Sequence, residues 1–517
     1  MWNIDQLKAI QASGRSVMVS ASAGAGKTTV LVERLIQICT RKDNPIDLDR
    51  IIAMTFTDAA AAEMKKRLSV SLSEQLQKED SDKNRIQKQL VLLSTAQIST
   101  IHSFCLSIIK KYYDVINLNP KMIENNLDDA TVSNLKSKAF KEAFLEYSKS
   151  NDTLELTNNF STSIFNLDSL EKSVLNIVNE ANSSFNADIW YETTLSNYKI
   201  IKTIEEVNDN VKSSFFNSII HEISILKDYC DKLIDQFEQE NSNDFKADYL
   251  NKGKATFIKR QSILIDCLIA LKNQQYQDFT DMFIKLKDTK FSKNAKLSEI
   301  FVLIYDAYKK HYDSLNKTPY LSESLLVETN NLLYPLIKQL LDIAKLTSAN
   351  FKNLKKEICG FDFDDMEHFA YDILTSNNNM IANQIKEEYD EIYVDEFQDT
   401  NDIQNEIVNL ISRNNVFRVG DVKQSIYRFR KAKPQIMRGI MNDESYERIS
   451  LKHNYRSQEY IVDFTNFVFE RLMNVNNFSD TYTEIDHVHT GSDKQKIRKG
   501  NLIKFYSLPD IKDFGES

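Results

Sequence analysis

Glycine and proline are scarce in this chain, with 10 and 6 among its 517 residues. Because these two residues punctuate tight turns, their scarcity excludes a turn-rich all-β architecture and favours a largely helical chain. Apolar runs are also short, and none approaches the 18 or more residues that mark a membrane-spanning helix. The first ten residues, MWNIDQLKAI, lack the basic segment and apolar run of a secretory signal. We therefore expect a cytoplasmic protein with no membrane partner.

Cysteine is equally sparse, and its five positions are scattered with no C-x-x-C pair: Cys39, Cys105, Cys230, Cys267 and Cys359. This spacing excludes a disulfide framework and a cysteine metal site, and it is typical of reduced, mostly buried thiols. The formal net charge is −9. A nucleic-acid partner would therefore have to be bound by a local basic surface, because the field of the whole molecule does not attract phosphate.

One stretch near the N-terminus has the composition of a phosphate-binding loop. Residues 20–29 read SASAGAGKTT, between a strand-like run and an apolar-periodic helix. Small residues let backbone N–H groups curl around phosphate oxygens, and the helix points its N-terminus at the anion. The lysine of such a loop reaches the β- and γ-phosphates, and the hydroxyl after it can bind Mg²⁺. The sequence predicts an ATP- and Mg²⁺-binding P-loop formed by Ala21, Ser22, Ala23, Gly24, Ala25, Gly26, Lys27, Thr28 and Thr29, with Thr28 as a metal ligand.

Two further strand-to-helix units follow within the first 115 residues. Residues 51–54 lead into TFTDAAAAEM, and residues 96–100 lead into IHSFCLSIIKKYY. Strand, polar turn and helix form the repeating unit of a parallel α/β sheet, in which ligands bind outside the carboxyl ends of the strands. A short helix over residues 3–12 carries Gln6, whose amide can pair with one adenine edge. A surface glutamine is an equally good interpretation of the local sequence.

A long helical block separates these units from the next ones. No glycine occurs between Lys27 and Lys252. Helical periodicity with Asn-, Ser- and Asp-rich joints predicts an all-helical insertion over residues 116–369.

The α/β pattern then returns with a strand that ends in two carboxylates. Residues 391–394 are apolar in character and are followed by Asp395 and Glu396. A P-loop ATPase needs such a pair opposite its lysine, one carboxylate to hold Mg²⁺ through water and one to polarise the attacking water. A solvated acidic loop is the alternative interpretation.

The next strand, residues 417–421, leads into a basic and aromatic stretch. Residues 422–434 contain five basic side chains, no acidic ones, and the rings of Tyr427 and Phe429. Bases stack on rings at roughly 1–3 kcal/mol each while cations follow the phosphates, so this composition suits single-stranded nucleic acid. Taken alone, such a stretch is more often a solvated helix face over a core. Its position directly beyond the paired carboxylates favours the nucleic-acid interpretation.

Taken together, seven motifs in order resemble the UvrD-like superfamily 1 DNA helicases: Gln6, ASAGAGKT, TFTDAAAAEM, TIHSF, VDEFQDT, GDVKQSIYRFR and NYRS. The resemblance covers roughly residues 1–115 and 385–470. It implies an α/β fold: a RecA-like P-loop NTPase sheet interrupted by a large all-helical insertion. The implied domains are a discontinuous ATPase domain at 1–115 and 370–443, a helical insertion domain at 116–369, and the start of a second RecA-like domain at 444–517.

The resemblance also implies a role for each residue of the ATP site. Gln6 would contact adenine, and Lys27 and Thr28 would bind phosphate and Mg²⁺. Asp395 would be a metal ligand and Glu396 the catalytic base.

Further roles are implied for the motifs near the end of the chain. Gln424 would sense the γ-phosphate and couple it to DNA, and Arg456 would stabilise transition-state charge as one of two arginine fingers. The residues implied for the single-stranded DNA track are Thr55, Phe56, His102, Tyr427, Phe429 and Arg430.

Within that superfamily the sequence most resembles the A subunits of AddAB/RexAB-type helicase–nucleases. Lys423 and Phe429 stand where simpler UvrD-type helicases usually have an acidic residue and tryptophan, and Thr29 stands where they usually have arginine. The insertion is also much longer than theirs. The resemblance implies an ATP-dependent 3′→5′ DNA helicase that acts on single-stranded and duplex DNA ends with a B-type partner subunit, in the repair of double-strand breaks.

Two alternatives stay open at this point. A stand-alone UvrD/Rep-type helicase would carry the same ATPase motifs. The later family motifs and a C-terminal nuclease domain do not appear before residue 517, so we also expect the chain to be an N-terminal fragment or a truncated product. As such it would hydrolyse ATP weakly or act as a non-catalytic ATP- and DNA-binding module, because an arginine finger contributes 10³–10⁵ in rate. Nuclease activity is expected only in the full-length protein.

Overall fold

The computed structural model describes residues 2–79, 82–160, 167–184, 186–207, 209–240, 247–293, 297–317, 323–427, 431–473, 482 and 486–491. Its contacts divide the chain into two compact units. The first, here called the sheet unit, comprises Met1–Leu135, Asn182–Phe185 and Lys352–Ser517. The second, here called the helical unit, comprises Lys136–Ala181 and Asn186–Phe351.

Six parallel strands form the sheet of the sheet unit. In chain order they are β1 (Val17–Ala21), β2 (Ile51–Thr55), β3 (Gln97–Thr100), β4 (Glu391–Val394), β5 (Val416–Gly420) and β6 (Glu447–Leu451). Their spatial order is β3-β2-β4-β5-β1-β6, and every neighbouring pair is parallel. The polar turns that follow the strands therefore collect along one edge of the sheet. Two very short strands, β7 (His453–Asn454) and β8 (His489–Thr490), pair separately.

Helices make up most of the remaining described chain. In order they are α1 (Ile4–Gln11), α2 (Lys27–Thr40), α3 (Asp58–Leu76), α4 (Lys83–Leu92), α5 (Ile101–Tyr112), α6 (Pro120–Glu124), α7 (Asp129–Ser148), α8 (Leu154–Phe160), α9 (Asp168–Ala181), α10 (Ala187–Ser196), α11 (Asp209–Gln239), α12 (Ala247–Lys272), α13 (Tyr276–Ile284), α14 (Glu299–Leu315), α15 (Glu323–Glu357), α16 (Phe363–Glu388), α17 (Asp402–Ile411), α18 (Pro434–Asn442) and α19 (Glu459–Leu472). Helices α8 to α14 lie in the helical unit, and α7 and α15 belong in part to each unit. None of the described helices combines the length and the apolar character that crossing a membrane requires.

The sheet is buried on both faces, as is usual for parallel strands. Successive side chains of a strand point to opposite faces. Val17 and Val19 accordingly pack into one hydrophobic core with α2, and Met18 packs into a second core with Ile52 and α16. These two cores hold the strands rigidly, so that the turns at their carboxyl ends have fixed positions.

The helical unit has two hydrophobic cores of its own. Helices α11 to α14 pack around Phe257, Phe279 and Phe301, which are fully buried. Helices α7 to α10 and α15 pack around a second cluster that includes Phe140 and Val174. The described residues of this unit contain no strand. The predicted fold class, a RecA-like parallel sheet interrupted by a large all-helical insertion, is confirmed.

One strand departs from the predicted organisation. β6 pairs with β1 from Val17↔Glu447 to Ala21↔Leu451, although the sequence analysis placed residues 444–517 in a second RecA-like domain. The boundary predicted after residue 443 therefore lies before β6, which belongs to the sheet of the first domain. The second RecA-like domain itself stays a prediction.

Candidate active site

The P-loop lies between β1 and α2 and has the backbone of an anion-binding turn. Gly24 and Gly26 have φ of +73° and +84°, a region that glycine adopts without strain. Gly26 is also the N-cap of α2, and no side chain among the described residues caps that helix end. The first N–H groups of α2 are therefore available to an anion, and the helix dipole favours one there.

Lys27 meets the carboxylate predicted to act as base. Its Nζ atom lies 2.8 Å from Oε2 of Glu396 and 3.4 Å from Oε1 of Gln424. The three side chains follow β1, β4 and β5, which are neighbours in the sheet. Three residues that are far apart in the sequence thus converge at one point on the carboxyl edge.

Asp395 is buried beside this point. Its N–H donates to the carbonyl of Met54 (2.9 Å), and its Oδ1 accepts from the N–H of Glu396 (2.9 Å). Burial raises the pKa of Asp395 to about 6, and the neighbouring Glu396 carboxylate adds to the rise. Lys27 and the N–H of Glu396 offset only part of this rise, and a divalent cation bound here would favour the ionised form further.

The donor set fits Mg²⁺ held together with a nucleotide. Asp395 supplies a carboxylate, and Thr28 supplies a hydroxyl in the first turn of α2. Mg²⁺ is typically held by one or two such oxygen ligands together with substrate phosphates. The described residues include no cluster of three or more His, Cys, Asp or Glu side chains that would hold a metal alone.

Gln6 lies against the P-loop and is 5% exposed. Its Nε2 donates to the carbonyl of Ala25 (3.1 Å), and its Oε1 accepts from the N–H of Asn3 (3.1 Å) as part of a capping box. The amide therefore ties α1 to the P-loop. One N–H and one lone pair remain for an adenine edge.

The NYRS segment also lies directly on the P-loop. Nδ2 of Asn454 donates to the carbonyl of Ala23 (2.9 Å), and the N–H of Tyr455 donates to the carbonyl of Gly24 (2.9 Å). Oδ1 of Asn454 accepts from the N–H of Arg456 (2.7 Å), whose side chain is exposed. The predicted finger residue is thus anchored next to the phosphate-binding turn.

Asn454 and Tyr455 of this segment were given no role from the sequence. A Cβ at Gly24 would lie 2.8 Å from the Asn454 side chain, so the loop and the amide are in close contact. The hydroxyl of the half-exposed Tyr455 accepts from Nδ2 of Asn3 (2.8 Å) beside the N-terminus of α1. In the sequence, Asn454 and Tyr455 are marked only by their position next to the predicted finger arginine. This is a weak signal for a role at the P-loop, because their contacts are formed only in the folded chain.

Four of the six residues predicted for the DNA track lie at the same edge, in two groups. The rings of Phe56 and Tyr427, after β2 and β5, lie 4.5 Å apart. Thr55 is buried, and its hydroxyl donates to the carbonyl of Thr57 (2.9 Å). His102, at the start of α5, is paired with a buried carboxylate of α16. Phe429 and Arg430 lie outside the described residues.

A parallel sheet, a P-loop lysine at the start of α2, and a strand that ends in two carboxylates, of which Asp395 is buried, together define a RecA-like P-loop nucleotide-binding domain. The family model described as the UvrD/REP helicase N-terminal domain matches residues 2–445. The chain therefore belongs to the UvrD/REP helicase family.

Curated relatives are similar over nearly the whole chain. They are A subunits of ATP-dependent helicase/nucleases, and the identity is 33% in Clostridium beijerinckii, 31% in Ruminiclostridium cellulolyticum and 32% in Acetivibrio thermocellus. The matches cover 97%, 95% and 98% of this chain and 42%, 41% and 42% of those proteins, respectively. The chain thus spans about two fifths of the length of these relatives.

Proposed function

We propose that this chain is the ATP-driven motor part of an A-type helicase–nuclease subunit. It would hydrolyse ATP to move 3′→5′ along single-stranded DNA and so open duplex ends at double-strand breaks. The observation that carries the proposal is the convergence of Lys27, Glu396 and Gln424 at the carboxyl edge of a P-loop sheet. The similarity to relatives named as A subunits of helicase/nucleases supports the choice of this type.

The geometry suggests a task for each side chain of the ATP site. The triphosphate would occupy the α2 N-terminus, and Lys27 would leave Glu396 to contact its β- and γ-phosphates. The freed carboxylate of Glu396 would accept the proton of the attacking water. Bound Mg²⁺, held with Asp395 and Thr28, would neutralise developing phosphate charge. Gln424 and Arg456 would contact the γ-phosphate.

The DNA track would begin at the aromatic pair. Phe56 lies in the loop after β2 and Tyr427 in the loop after β5, and the neighbouring strands of the sheet carry the ATP site. A shift of either loop on ATP binding would therefore change the distance between the two rings. A base stacked on one of these rings gains roughly 1–3 kcal/mol. His102, Phe429 and Arg430 would extend this track.

Partner and location are part of the same proposal. The relatives are named as one subunit of an enzyme, which indicates an assembly. The partner we propose is a B-type helicase–nuclease subunit. A complex that opens chromosomal DNA ends would work in the cytoplasm.

Paired substitutions test the proposal. Lys27→Ala should abolish ATP binding. Glu396→Gln should retain binding and lose hydrolysis by several orders of magnitude, because it removes the base and keeps the shape. Glu63→Gln, an exposed carboxylate on α3 that pairs with Arg67, is the control and should be unchanged.

Three quantities would be measured on the protein isolated together with its accompanying subunits. They are DNA-stimulated ATP turnover, ATP affinity, and strand displacement from DNA substrates with 3′ or 5′ tails. Near-normal turnover of Glu396→Gln would refute the assignment of the base. If no large partner copurifies with the protein, the alternative of a stand-alone helicase would be favoured.

A further inference from the structure

We propose that Gln398 is the positioning residue for ATP hydrolysis in this protein: it selects which oxygen of Glu396 acts as base, and it joins that carboxylate to the loop that senses the γ-phosphate. The inference rests on the function proposed above, and it concerns a residue to which the sequence motifs assign no task of its own.

Every polar atom of the Gln398 amide is engaged. The side chain is 2% exposed. Nε2 donates to Oε2 of Glu396 (2.8 Å) and to Oδ2 of Asp399 (3.2 Å), and Oε1 accepts from the N–H of Asp421 (2.9 Å). The reversed amide would place its oxygen against two carboxylates and its NH₂ against an N–H donor. One orientation of this side chain is therefore fixed.

These contacts close a ring of hydrogen bonds through three strand ends. From Gln398 the ring runs to Asp421, whose Oδ2 accepts from Nε2 of Gln424 (2.7 Å). Oε1 of Gln424 lies 3.4 Å from Nζ of Lys27, and Nζ returns to Oε2 of Glu396. The P-loop lysine, the base and the γ-phosphate sensor thus share one network, in which Gln398 provides the direct connection from β4 to β5.

The ring requires close packing at the end of β5. A Cβ at Gly420 would lie 2.6 Å from Oε1 of Gln398 and 3.1 Å from its backbone nitrogen. Glu396 itself has φ of +51°, an uncommon value for a residue with a long side chain. Such a backbone persists where its surroundings hold it, and the Gln398 amide is one of the groups that hold the Glu396 side chain.

The network determines which carboxylate oxygen can act. Among the described residues, hydrogen bonds to the Glu396 carboxylate reach Oε2 alone, from Lys27 and Gln398. When Lys27 turns to phosphate, Gln398 still holds Oε2. The carboxylate then keeps its plane, and Oε1 faces the nucleotide as the proton acceptor. Without Gln398, the freed carboxylate would rotate, and the base would lose its alignment with the attacking water.

Gln398 also connects Glu396 to the loop after β5 that carries Tyr427. Oγ of Ser425 lies 3.2 Å from the carbonyl oxygen of Gln398 and 3.3 Å from Oδ1 of Asp399. Ser425 is two residues before Tyr427, whose ring centroid lies 4.5 Å from that of Phe56. A movement of that loop on DNA binding therefore reaches Gln398 through direct contacts, so Gln398 should carry part of the DNA stimulation of hydrolysis.

The test replaces the amide by a side chain of similar length without hydrogen-bonding groups. Gln398→Met should lower kcat for ATP by about 10–100-fold, the usual effect of removing a residue that orients a reacting group. KM and ATP affinity should stay within about twofold, because the hydrogen bonds of the Gln398 side chain go to Glu396, Asp399 and Asp421 and not to the P-loop. The ratio of DNA-stimulated to basal turnover should fall. Gln89→Met is the matched control: Gln89 is also buried, in α4, and bonds to Asp47 and Leu48, which precede the amino end of β2 and not the carboxyl edge of the sheet. It should lose comparable stability and keep kcat.

A second variant displaces the same amide without removing it. A Cβ at Gly420 would lie 2.6 Å from Oε1 of Gln398, so Gly420→Ala should shift the amide and reproduce the fall in kcat. Normal kcat and DNA stimulation in a folded Gln398→Met protein would overturn this inference and leave the proposed function standing. A loss of kcat in Gln89→Met equal to that in Gln398→Met would also overturn it, since a general loss of stability would then explain the effect. Absence of ATP turnover in the unsubstituted protein would refute both.

Discussion

Buried carboxylates of this protein are held by different neighbours, and Glu367 of α16 shows the effect most clearly. Its carboxylate accepts from Nε2 of His102 (3.0 Å), Nε2 of Gln404 (2.6 Å) and Nδ2 of Asn401 (2.9 Å). Burial alone raises the pKa of Glu367, but these donors outweigh burial, so the pKa lies below its ordinary value. In Asp395 burial prevails and the pKa is raised. The donors around Glu367 therefore stabilise its ionised form, whereas Asp395 lacks comparable compensation for its burial.

The lowered pKa of Glu367 predicts a pH-dependent contribution to stability. A carboxyl that binds protons less readily in the folded chain stabilises the fold fully above its unfolded pKa of about 4.3, and this stabilisation is lost as the pH falls through the folded pKa. Glu367→Gln should lower the free energy of unfolding at pH 7 by about 2–3 kcal/mol, because three donors lose a charged acceptor. Denaturant unfolding at a series of pH values measures this, and the difference between variant and parent should shrink below pH of about 4.3.

An exposed glutamate of the same helix provides the control. Glu387 has a side chain that is 82% exposed and 3.8 Å from Arg413, so Glu387→Gln should leave the free energy of unfolding nearly unchanged. Equal effects of the two substitutions would contradict a special role of the Glu367 network.

Single residues were predictable where a motif carries them. Lys27 and Glu396 were identified because the chemistry of phosphate transfer demands those residue types after a strand. Gln398 and Asn454 were not assigned tasks, although both stand inside recognised motifs. Their contacts cross between strand ends that are distant in sequence, and side-chain hydrogen bonds of this kind leave no periodic pattern in the chain.

At the scale of elements, Arg34 explains how α1 is held. Its Nη1 donates to the carbonyls of Ile10 (3.2 Å) and Ala9 (3.3 Å) near the end of α1, and its Nη2 donates to Glu391 of β4 (3.2 Å). The guanidinium also lies over the ring of Phe417. A buried cation of α2 thus satisfies the last carbonyls of α1, in addition to the contacts that Asn3 and Gln6 make near the start of that helix.

Loosening α1 should weaken ATP binding, because α1 carries Gln6 against the P-loop. Arg34→Met should raise KM for ATP more than it lowers kcat, and it should lower the free energy of unfolding by about 3 kcal/mol, since it leaves Glu391 without its cation. Arg41→Met is the control, because Arg41 follows the same helix and its side chain donates to an exposed loop carbonyl at Asn44. ATP titrations and thermal unfolding compare the two variants. A fall in kcat at unchanged KM would contradict this account of α1.

Most elements of the sheet unit were predictable, and β6 shows the limit. β1, β2, β4 and β5 are largely apolar and end in polar turns, and these features identified them; β3, which reads QIST, was identified by the helix pattern that follows it. β6 reads ERISL, and only Ile449 and Leu451 of this strand are buried. It is an edge strand of the sheet, beyond β1. Half-exposed edge strands carry charged residues and resemble loops in sequence, so nothing in the sequence of β6 indicated that it joins the first sheet.

At the scale of the whole molecule, the chain builds its sheet from two distant segments. β1 to β3 precede the helical unit, and β4 to β6 follow it. The sequence predicted this interruption because the P-loop and the carboxylate pair need each other chemically. It did not predict the cores of the helical unit, since several amphipathic helices can pack in many ways and no motif selects one. The helical unit has its own buried aromatic cluster, which accounts for how so long an insertion folds compactly.

The central claim is that Lys27 and Glu396, 369 positions apart and 2.8 Å from each other here, enclose the reacting end of one nucleotide. An experimental structure of the protein with Mg²⁺ and a non-hydrolysable ATP analogue tests it most directly. The account predicts a γ-phosphate bound by Lys27, Mg²⁺ beside Thr28 and Asp395, and a Glu396 carboxylate that has parted from Lys27 while keeping its bond to Gln398. A nucleotide bound elsewhere, or one bound to the P-loop with Glu396 turned away from its γ-phosphate, would contradict it.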